Sequence, residues 1–163
     1  MIQRVQSIFL LLVAVTMVTM LFFPLWQKVD VDNKEKITIS ALQVVHDKQN
    51  VASGQVEVLL DKPLYPIAGL AILSAIVALF SIFKYTNRLT QMKLGALNSL
   101  LIGGCLGITV YYIFDAEKLL PATASVAYLP GFYFTAAALF FNALANRFIR
   151  KDEKLVRSAD RIR

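Results

Sequence analysis

The sequence predicts an all-α membrane protein with four transmembrane helices and a small β-structured loop between helices 1 and 2. Two observations lead to this fold class. Four long apolar segments alternate with polar connections, and charge is divided unequally between the two sets of connections. Of the 163 residues, 57% are apolar and 17% are charged, whereas about 25% of residues are charged in soluble domains. We therefore expect residues 1–163 to form a single membrane domain.

The first predicted helix covers residues 5–26, because no charged residue follows Arg4 until Lys28. This run is longer than the apolar core of a secretory signal peptide, and no small-x-small cleavage site follows it. The run ends in an aromatic cluster that includes Trp26, which is typical of a membrane–water interface. We expect an uncleaved anchor helix with Trp26 at the outer membrane surface.

Residues 27–62 are polar and predict an outer loop with two or three short strands. Period-two alternation of apolar and polar residues marks three candidate strands: 29–32, 37–40 and 55–60. Residues 41–46 extend the second strand or form one helical turn, and residues 50–54 predict a turn. So small a sheet is marginally stable alone, so we expect it to rest on the outer ends of the helices.

The second and third helices are predicted at residues 66–84 and 93–114. Pro66 suits the first turn of a helix, where its missing amide hydrogen is not needed. The short connection between the two helices makes them antiparallel neighbours. Helix 2 carries two pairs of small residues spaced four apart, a spacing that lets membrane helices approach closely: Ala71 with Ala75, and Ser74 with Ala78.

The third segment is the predicted centre of the bundle. Residues 94–114 contain no charged side chain and are long enough to cross the hydrocarbon layer. They include Asn98 and the motif Gly103-x-x-x-Gly107. Small residues and side-chain hydrogen bonds are what hold membrane helices together. We therefore expect the other helices to pack against this one.

Residues 115–126 predict a surface loop, because they contain Pro121 and several small polar residues. The fourth helix follows at residues 129–150. The tail, residues 147–163, is rich in helix-forming residues and is expected to continue helix 4 into the cytosol.

The charges predict the orientation of the chain. The amino terminus, the connection between helices 2 and 3, and the tail together carry eleven basic and three acidic residues. The other two connections carry six basic and eight acidic residues. Positively charged connections stay in the cytoplasm. We therefore expect a multi-pass protein of the bacterial inner (cytoplasmic) membrane with both termini cytoplasmic, and the high net charge needs no nucleic-acid partner.

Two amides within the predicted helices are the main polar residues that could form a site there. Asn98 and Asn142 lie at similar depths, because each is five residues from a charged residue at the same membrane face. An unpaired amide in hydrocarbon is costly. We expect a hydrogen bond between the two helices, and the alternative is a polar pocket open to the cytoplasm.

Other candidates are interpreted as structural. Gly103 and Gly107 predict close packing within the chain, with a dimer interface as the alternative. Cys105 is predicted to be a small packing residue, and His46 a solvated loop residue. With one cysteine and one histidine in the chain, we expect no metal site. We also expect no cofactor and no enzymatic activity, because the predicted helices carry no ionisable residue away from their ends.

The tail forms a predicted cytoplasmic basic patch. We expect this patch to have one of three roles: to fix the topology, to contact anionic lipid headgroups, or to dock a cytosolic partner. Its members are Arg147, Arg150, Lys151, Lys154, Arg157, Arg161 and Arg163.

Three segments carry a family resemblance: MIQRVQSIFLLL at the amino terminus, FPLW after helix 1, and KDEKLVRSADRIR at the carboxyl terminus. The chain resembles a family of small inner-membrane proteins of unknown function from the Bacteroidota. The resemblance spans the whole chain and implies four membrane helices in a bacterial inner membrane. It implies no activity, substrate or catalytic residue.

The leading functional hypothesis is a non-enzymatic scaffold or accessory subunit. It would contact the lipid bilayer and a membrane-protein partner through its outer loop and basic tail. The alternative is binding or transport of a lipid-like small molecule between the helices, and a membrane enzyme is the least favoured interpretation. A deep cavity lined by Asn98 and Asn142 would favour the alternative. A filled bundle with an apolar patch on the outer loop would favour the scaffold.

Overall fold

The apolar runs form four helices that are long and apolar enough to cross a membrane, as the sequence predicts. The computed structural model describes residues 3–49, 56–85 and 87–160. A short 3-10 turn at Met20–Phe22 follows the first helix. The helices are α1 (Gln3–Thr19), α2 (Tyr65–Phe83), α3 (Arg88–Glu117) and α4 (Pro130–Asp160).

The helices form a closed ring in which each packs against its two neighbours in chain order, and α4 packs back onto α1. Small side chains allow this close packing. The two small-residue pairs predicted on α2 are buried, with Ala71, Ser74 and Ala78 fully inaccessible and Ala75 nearly so. On α3, the buried face recurs every three or four residues and includes Asn98, Ile102 and Cys105, as expected for one stripe of a helix.

The prediction of an all-α protein with a small β-structured loop is wrong. The structure contains a five-stranded antiparallel sheet in the order β4-β3-β2-β1-β5. The sheet covers one end of the bundle, which we call the sheet end, and the opposite end, where α4 continues to Asp160, is the tail end. The strands are β1 (Trp26–Asp30), β2 (Glu35–Ile39), β3 (Gln43–Gln49), β4 (Val56–Pro63) and β5 (Ser125–Tyr128).

Two segments outside the predicted strands account for much of the difference. Residues 43–46 begin a separate strand, β3, instead of extending the second predicted strand or forming a helical turn, and β3 pairs with both β2 and β4. The predicted surface loop, residues 115–126, contains the start of β5, which pairs with β1 from Trp26↔Tyr128 to Val29↔Ser125. Because β5 has only four residues and its pairing partner β1 is distant in sequence, the local sequence shows no periodicity that would predict this strand. The predicted turn at residues 50–54 lies outside the described residues.

The inner face of the sheet closes the sheet end of the bundle. Trp26, Ile37 and Ile39 are fully buried, and they join a core that includes Ile67 of α2 and Ile113 of α3. Fully burying each large side chain of this kind contributes about 1.5–3 kcal/mol. The sheet is therefore part of the same core as the helices, and not a separate loop resting on them.

The side chain of Trp26 is consequently buried in the core, whereas the sequence prediction places it among the aromatic residues of a membrane surface. The helical run ends at Phe22, and the chain becomes extended at Phe23, before Pro24. The residue before a proline disfavours the helical conformation. Leu25 then donates its backbone N–H to the Ile39 carbonyl at 2.8 Å, so Trp26 enters the sheet with its ring against the core.

A close approach at Gly131 fixes the start of α4 against the end of the first helical run. The Gly131 N–H donates to the Pro24 carbonyl at 3.0 Å. A Cβ atom at this position would lie 2.6 Å from the Phe23 carbonyl oxygen and 2.8 Å from that of Pro24. Both contacts are to backbone atoms, so glycine is required here.

A buried lysine joins the sheet to α3. Lys28 of β1 is 2% exposed, and its Nζ donates to the carbonyl oxygens of Glu117 at 2.8 Å and Leu120 at 2.9 Å. Carbonyl groups at a helix C-terminus lack partners within the helix and carry partial negative charge. The Lys28 ammonium therefore caps α3 from a strand that lies about 90 residues earlier in the chain.

Candidate functional site

The interior of the bundle contains a polar layer built around two asparagines. Asn98 of α3 and Asn142 of α4 are 1% and 0% exposed. The Asn98 Nδ2 donates to the Asn142 Oδ1 at 3.5 Å. The structure therefore brings the two predicted amides together in the interior, in a long hydrogen bond.

Further hydrogen bonds extend this layer across three helices. The Ser74 hydroxyl of α2 donates to Asn98 Oδ1 at 2.7 Å. The Asn142 Nδ2 donates to the Gly95 carbonyl at 2.9 Å and to the Ser99 hydroxyl at 2.8 Å. Each amide oxygen and nitrogen of the two asparagines thus has a partner, which is what a stable buried polar group requires.

A second polar layer, missed by the sequence analysis, lies about 10 Å nearer the tail end, seven helical residues before Asn98 on α3. Gln91 is fully buried, and its Nε2 donates to the Ser81 carbonyl of α2 at 2.8 Å. Gln6 of α1 donates to Gln91 Oε1 at 3.4 Å. Gln6 lies at the start of the first predicted helix and Gln91 in the predicted connection between helices 2 and 3. Amides are normally solvated at such positions, so composition alone gave no reason to place them in the interior.

The structure does not place Gly103 and Gly107 against another helix of the chain, so the prediction of intramolecular packing at these residues is corrected. Both are exposed, and a Cβ atom at either would have no atom within 4 Å among the described residues. They lie beside the buried stripe of α3 that contains Ile102 and Cys105. That stripe is set by the polar and apolar residues that pack inward, so the glycines face outward.

The close approach between α3 and α4 occurs instead at Gly95. A Cβ atom there would overlap the side-chain amide of Asn146. Gly95 and Ser99 form a small-x-x-x-small pair of the kind recognised on α2. The same signal could therefore have identified this contact from sequence.

Four of the predicted basic residues line one groove at the tail end of the bundle. Arg147, Arg150, Lys151 and Lys154 of α4 are exposed and lie on one face of the helix, at spacings of three and four residues. The groove has a volume of about 570 Å³, and its other described lining residues are Ser99, Ala143 and Asn146. The side chain of Arg157, and Arg161 and Arg163 entirely, lie outside the described part of the chain.

An ion pair holds the extension of α4 beside the start of α3. Arg88 Nε lies 3.1 Å from Asp152 Oδ2, and the Asp152 side chain is 13% exposed. The Arg88 Nη1 also donates to the Asp152 carbonyl at 3.4 Å. Partial burial makes this pair less screened than a surface pair, so α4 is anchored beyond the apolar part of the bundle.

Cys105 and His46 occupy separate, structural positions. Cys105 is buried in the core and its Sγ lies 3.8 Å from the Ile67 carbonyl. The side chain of His46 is 12% exposed, so it is not the solvated loop residue that the sequence predicts. Its Nε2 lies 3.3 Å from the carboxylate of Glu35 on the neighbouring strand. Within the described residues, no group of three or more His, Cys, Asp or Glu could hold a metal ion.

The Glu35 carboxylate also accepts a hydrogen bond of 2.7 Å from Lys48 Nζ. This bond, with a smaller effect from His46, lowers the pKa of Glu35 below its usual value of 4.5. The same bond raises the pKa of Lys48 above its usual value of 10.5. A lowered carboxyl pKa stabilises the fold above pH 4.5, and this stability is lost as the pH falls through the lowered pKa. The raised lysine pKa stabilises the fold below pH 10.5 and loses its effect as the pH rises further.

We therefore expect the midpoint of thermal unfolding to fall more steeply below about pH 4.5 in the native chain than in the variant Glu35→Gln. Circular dichroism of the protein in detergent, recorded between pH 3 and pH 7, measures this difference. Asp61→Asn, an exposed carboxylate on β4, is the control and should follow the native profile. The prediction would be contradicted if the unfolding midpoints of the native chain and of Glu35→Gln fell equally steeply as the pH is lowered.

A family profile described as a domain of unknown function, DUF4293, matches residues 2–162. The chain belongs to the DUF4293 family. No curated protein matches the sequence. The match confirms the resemblance at the level of an uncharacterised family that covers the chain, while the bacterial group and the inner membrane stay predictions.

The DUF4293 description names no reaction or ligand, so the arrangement of residues is the only guide to function. Three features stand out in this family member: the polar layer at Asn98 and Asn142, the basic groove of α4, and the edge strand β4 of the sheet. The first is structural, because its polar atoms satisfy one another. The other two face outward and are available to partners.

Proposed function

We propose that this DUF4293 chain is a non-enzymatic scaffold or accessory subunit that crosses the bacterial inner membrane four times. Its sheet end lies outside the cytoplasm and both termini lie inside. The division of charge supports this orientation, because the connections at the tail end carry the basic excess and those at the sheet end the acidic excess. The outer sheet and the basic tail provide the contact surfaces.

The observation that carries the proposal is the exposure of β4. All eight residues of this strand are exposed, and it is the last strand of the sheet. Val56 and Val58 are 62% and 55% exposed, and Leu59 and Leu60 are somewhat less than half exposed. Exposed apolar edge strands pair readily with other chains unless they are protected. A strand of a partner protein added to β4 would cover these side chains and satisfy the free backbone groups.

A register shift in β4 adds to this surface. His46 pairs with Leu60 and Asp47 pairs with Val58, so Leu59 is an extra residue in the strand. The extra residue interrupts the alternation of the strand, so the side chains of Val58 and Leu60 lie on opposite faces of the sheet. Val56 and Val58 therefore share the outward face with Asp47, while Leu60 lies on the inward face with His46. Apolar side chains thus border both faces of the free edge.

The bundle interior supports a scaffold more than a carrier of lipid-like molecules. Asn98 and Asn142 form hydrogen bonds with one another and with neighbouring residues, and neither is among the described residues that line the basic groove. Around them, Ala78, Ile102 and Ala138 are fully buried. A carrier between the helices would need space that these side chains fill.

A photoreactive amino acid placed at position 58 in intact cells tests the proposal. We expect irradiation to give one adduct of defined mass, because a partner strand on β4 would lie within reach of this position. The matched control is position 119, since Leu119 is also exposed and apolar at the sheet end but lies outside the strands and outside the cavity that Val56 lines. A second variant, Leu60→Lys with the probe at 58, should lose most of the adduct.

An adduct at position 58 alone supports the scaffold, including an adduct with a second copy of the chain. Absence of an adduct, or equal labelling at positions 119 and 58, would overturn it. Circular dichroism of Leu60→Lys in detergent shows whether the fold is retained, and an unfolded variant would be replaced by Val56→Lys on the same edge.

A further inference from the structure

We propose that the groove between α3 and α4 at the tail end binds the headgroup of an anionic phospholipid. Four cationic side chains of α4 border the groove: Arg147, Arg150, Lys151 and Lys154. The described lining residues include no carboxylate. The groove of about 570 Å³ is large enough for a glycerophosphate headgroup, since ligand pockets typically measure roughly 300–1,000 Å³.

The spacing of the four cations on α4 favours the binding of an anion. Residues three and four apart on a helix are neighbours, and like charges at these positions destabilise the helix. Arg147 with Arg150 and Lys151, and Lys151 with Lys154, are pairs of this kind. A phosphodiester in the groove would offset this repulsion and accept hydrogen bonds from several of the four side chains.

The base of the groove lies within the apolar part of the bundle. Ser99 is eleven residues into α3, and Ala143 precedes the first cation of α4 by four residues. Asn146 also lines the groove, and its buried Oδ1 atom has no hydrogen-bond partner among the described residues. A soluble polyanion such as RNA would not reach this depth, whereas a lipid headgroup lies at this boundary.

The exposed glycines of α3 continue the groove toward the centre of the bilayer. Ser99, Gly103 and Gly107 are spaced four residues apart and therefore lie on one stripe of the helix. Both glycines are exposed and have open space where a side chain would stand. An acyl chain could lie along this stripe while its headgroup occupies the cationic end. One ligand thus accounts for the glycines and the cations together.

Retention of defined lipids tests the proposal. The full chain is purified in mild detergent, supplied with phosphatidylglycerol and phosphatidylcholine of the same acyl chains, and analysed by native mass spectrometry. We expect preferential retention of phosphatidylglycerol. The double variant Arg150→Gln/Lys151→Gln should weaken this retention by about tenfold or more, since it removes two of the four cations that border the groove.

The matched control removes two other exposed cations of the tail end, Lys84→Gln/Lys93→Gln, and should retain phosphatidylglycerol as the native chain does. Gly103→Leu should also reduce retention without changing any charge. The leucine side chain would fill the space beside Gly103 and Gly107 in which the acyl chain would lie. Equal losses in the two double variants would overturn the proposal, as would equal retention of both lipids. Displacement by glycerol phosphate at the lipid's own concentration, or by RNA, would overturn it as well.

Discussion

Replacing Asn142 with alanine is expected to lower the free energy of unfolding by about 1–3 kcal/mol. The change removes the acceptor of Asn98 and the donor that serves the Gly95 carbonyl and the Ser99 hydroxyl. These groups would remain in an apolar interior with fewer partners. Unfolding of the purified protein in detergent by heat or by sodium dodecyl sulfate, followed by circular dichroism, measures the loss.

Phe140→Ala on the same helix is the matched control. Phe140 is exposed on the outside of the bundle, so its truncation should change stability by less than about 0.5 kcal/mol. The double variant Asn98→Ala/Asn142→Ala should lose less than the sum of the two single losses, because the two residues share a hydrogen bond. Additive losses, or native-like stability of Asn142→Ala, would show that the polar layer does not hold the helices together.

Lys28→Met is expected to lower the free energy of unfolding by about 2–3 kcal/mol, since it removes two charge-assisted hydrogen bonds. Methionine retains most of the apolar stem of lysine but removes the donor to the partly buried Glu117 carbonyl and the buried Leu120 carbonyl. The sheet would then be held less firmly against the end of α3. Limited proteolysis of the sheet, alongside thermal unfolding in detergent, measures both effects.

Lys36→Met is the control for this substitution, because Lys36 is exposed on the neighbouring strand β2. It should leave both the unfolding midpoint and the proteolysis rate unchanged. Lys28→Met could have as little effect as Lys36→Met. That result would mean that the cost of desolvating the Lys28 ammonium in the native chain offsets the free energy of its hydrogen bonds. The sheet would then depend on apolar packing alone.

The four long helices could be predicted because their cause is local. Each run of apolar residues determines its own hydrogen-bonded conformation in a membrane, where a helix satisfies all of its backbone groups internally. The spacing of small residues on α2 likewise indicated which face is buried, and Asn98 and Asn142 could be paired because the helices run in opposite directions. These inferences need only the helical period and the lengths of the connections.

The glycines of α3 show the limit of such inference. Gly103-x-x-x-Gly107 and Gly95-x-x-x-Ser99 are equivalent motifs in the sequence, yet among the described residues it is the second that approaches another helix. The rotation of α3 about its axis decides between them. That rotation is set by all the inward-facing residues together, including Gln91 and Asn98.

The sequence by itself determined four apolar helices, an unequal division of charge and a β-forming connection, because propensity, period and composition act over neighbouring residues. Only the tertiary structure decided that two connections combine into one sheet, that Lys28 caps α3, and that four cations of α4 share a groove with Ser99. Each of these depends on contacts between residues far apart in the chain. Such contacts form only when the whole core is packed, so no short segment encodes them.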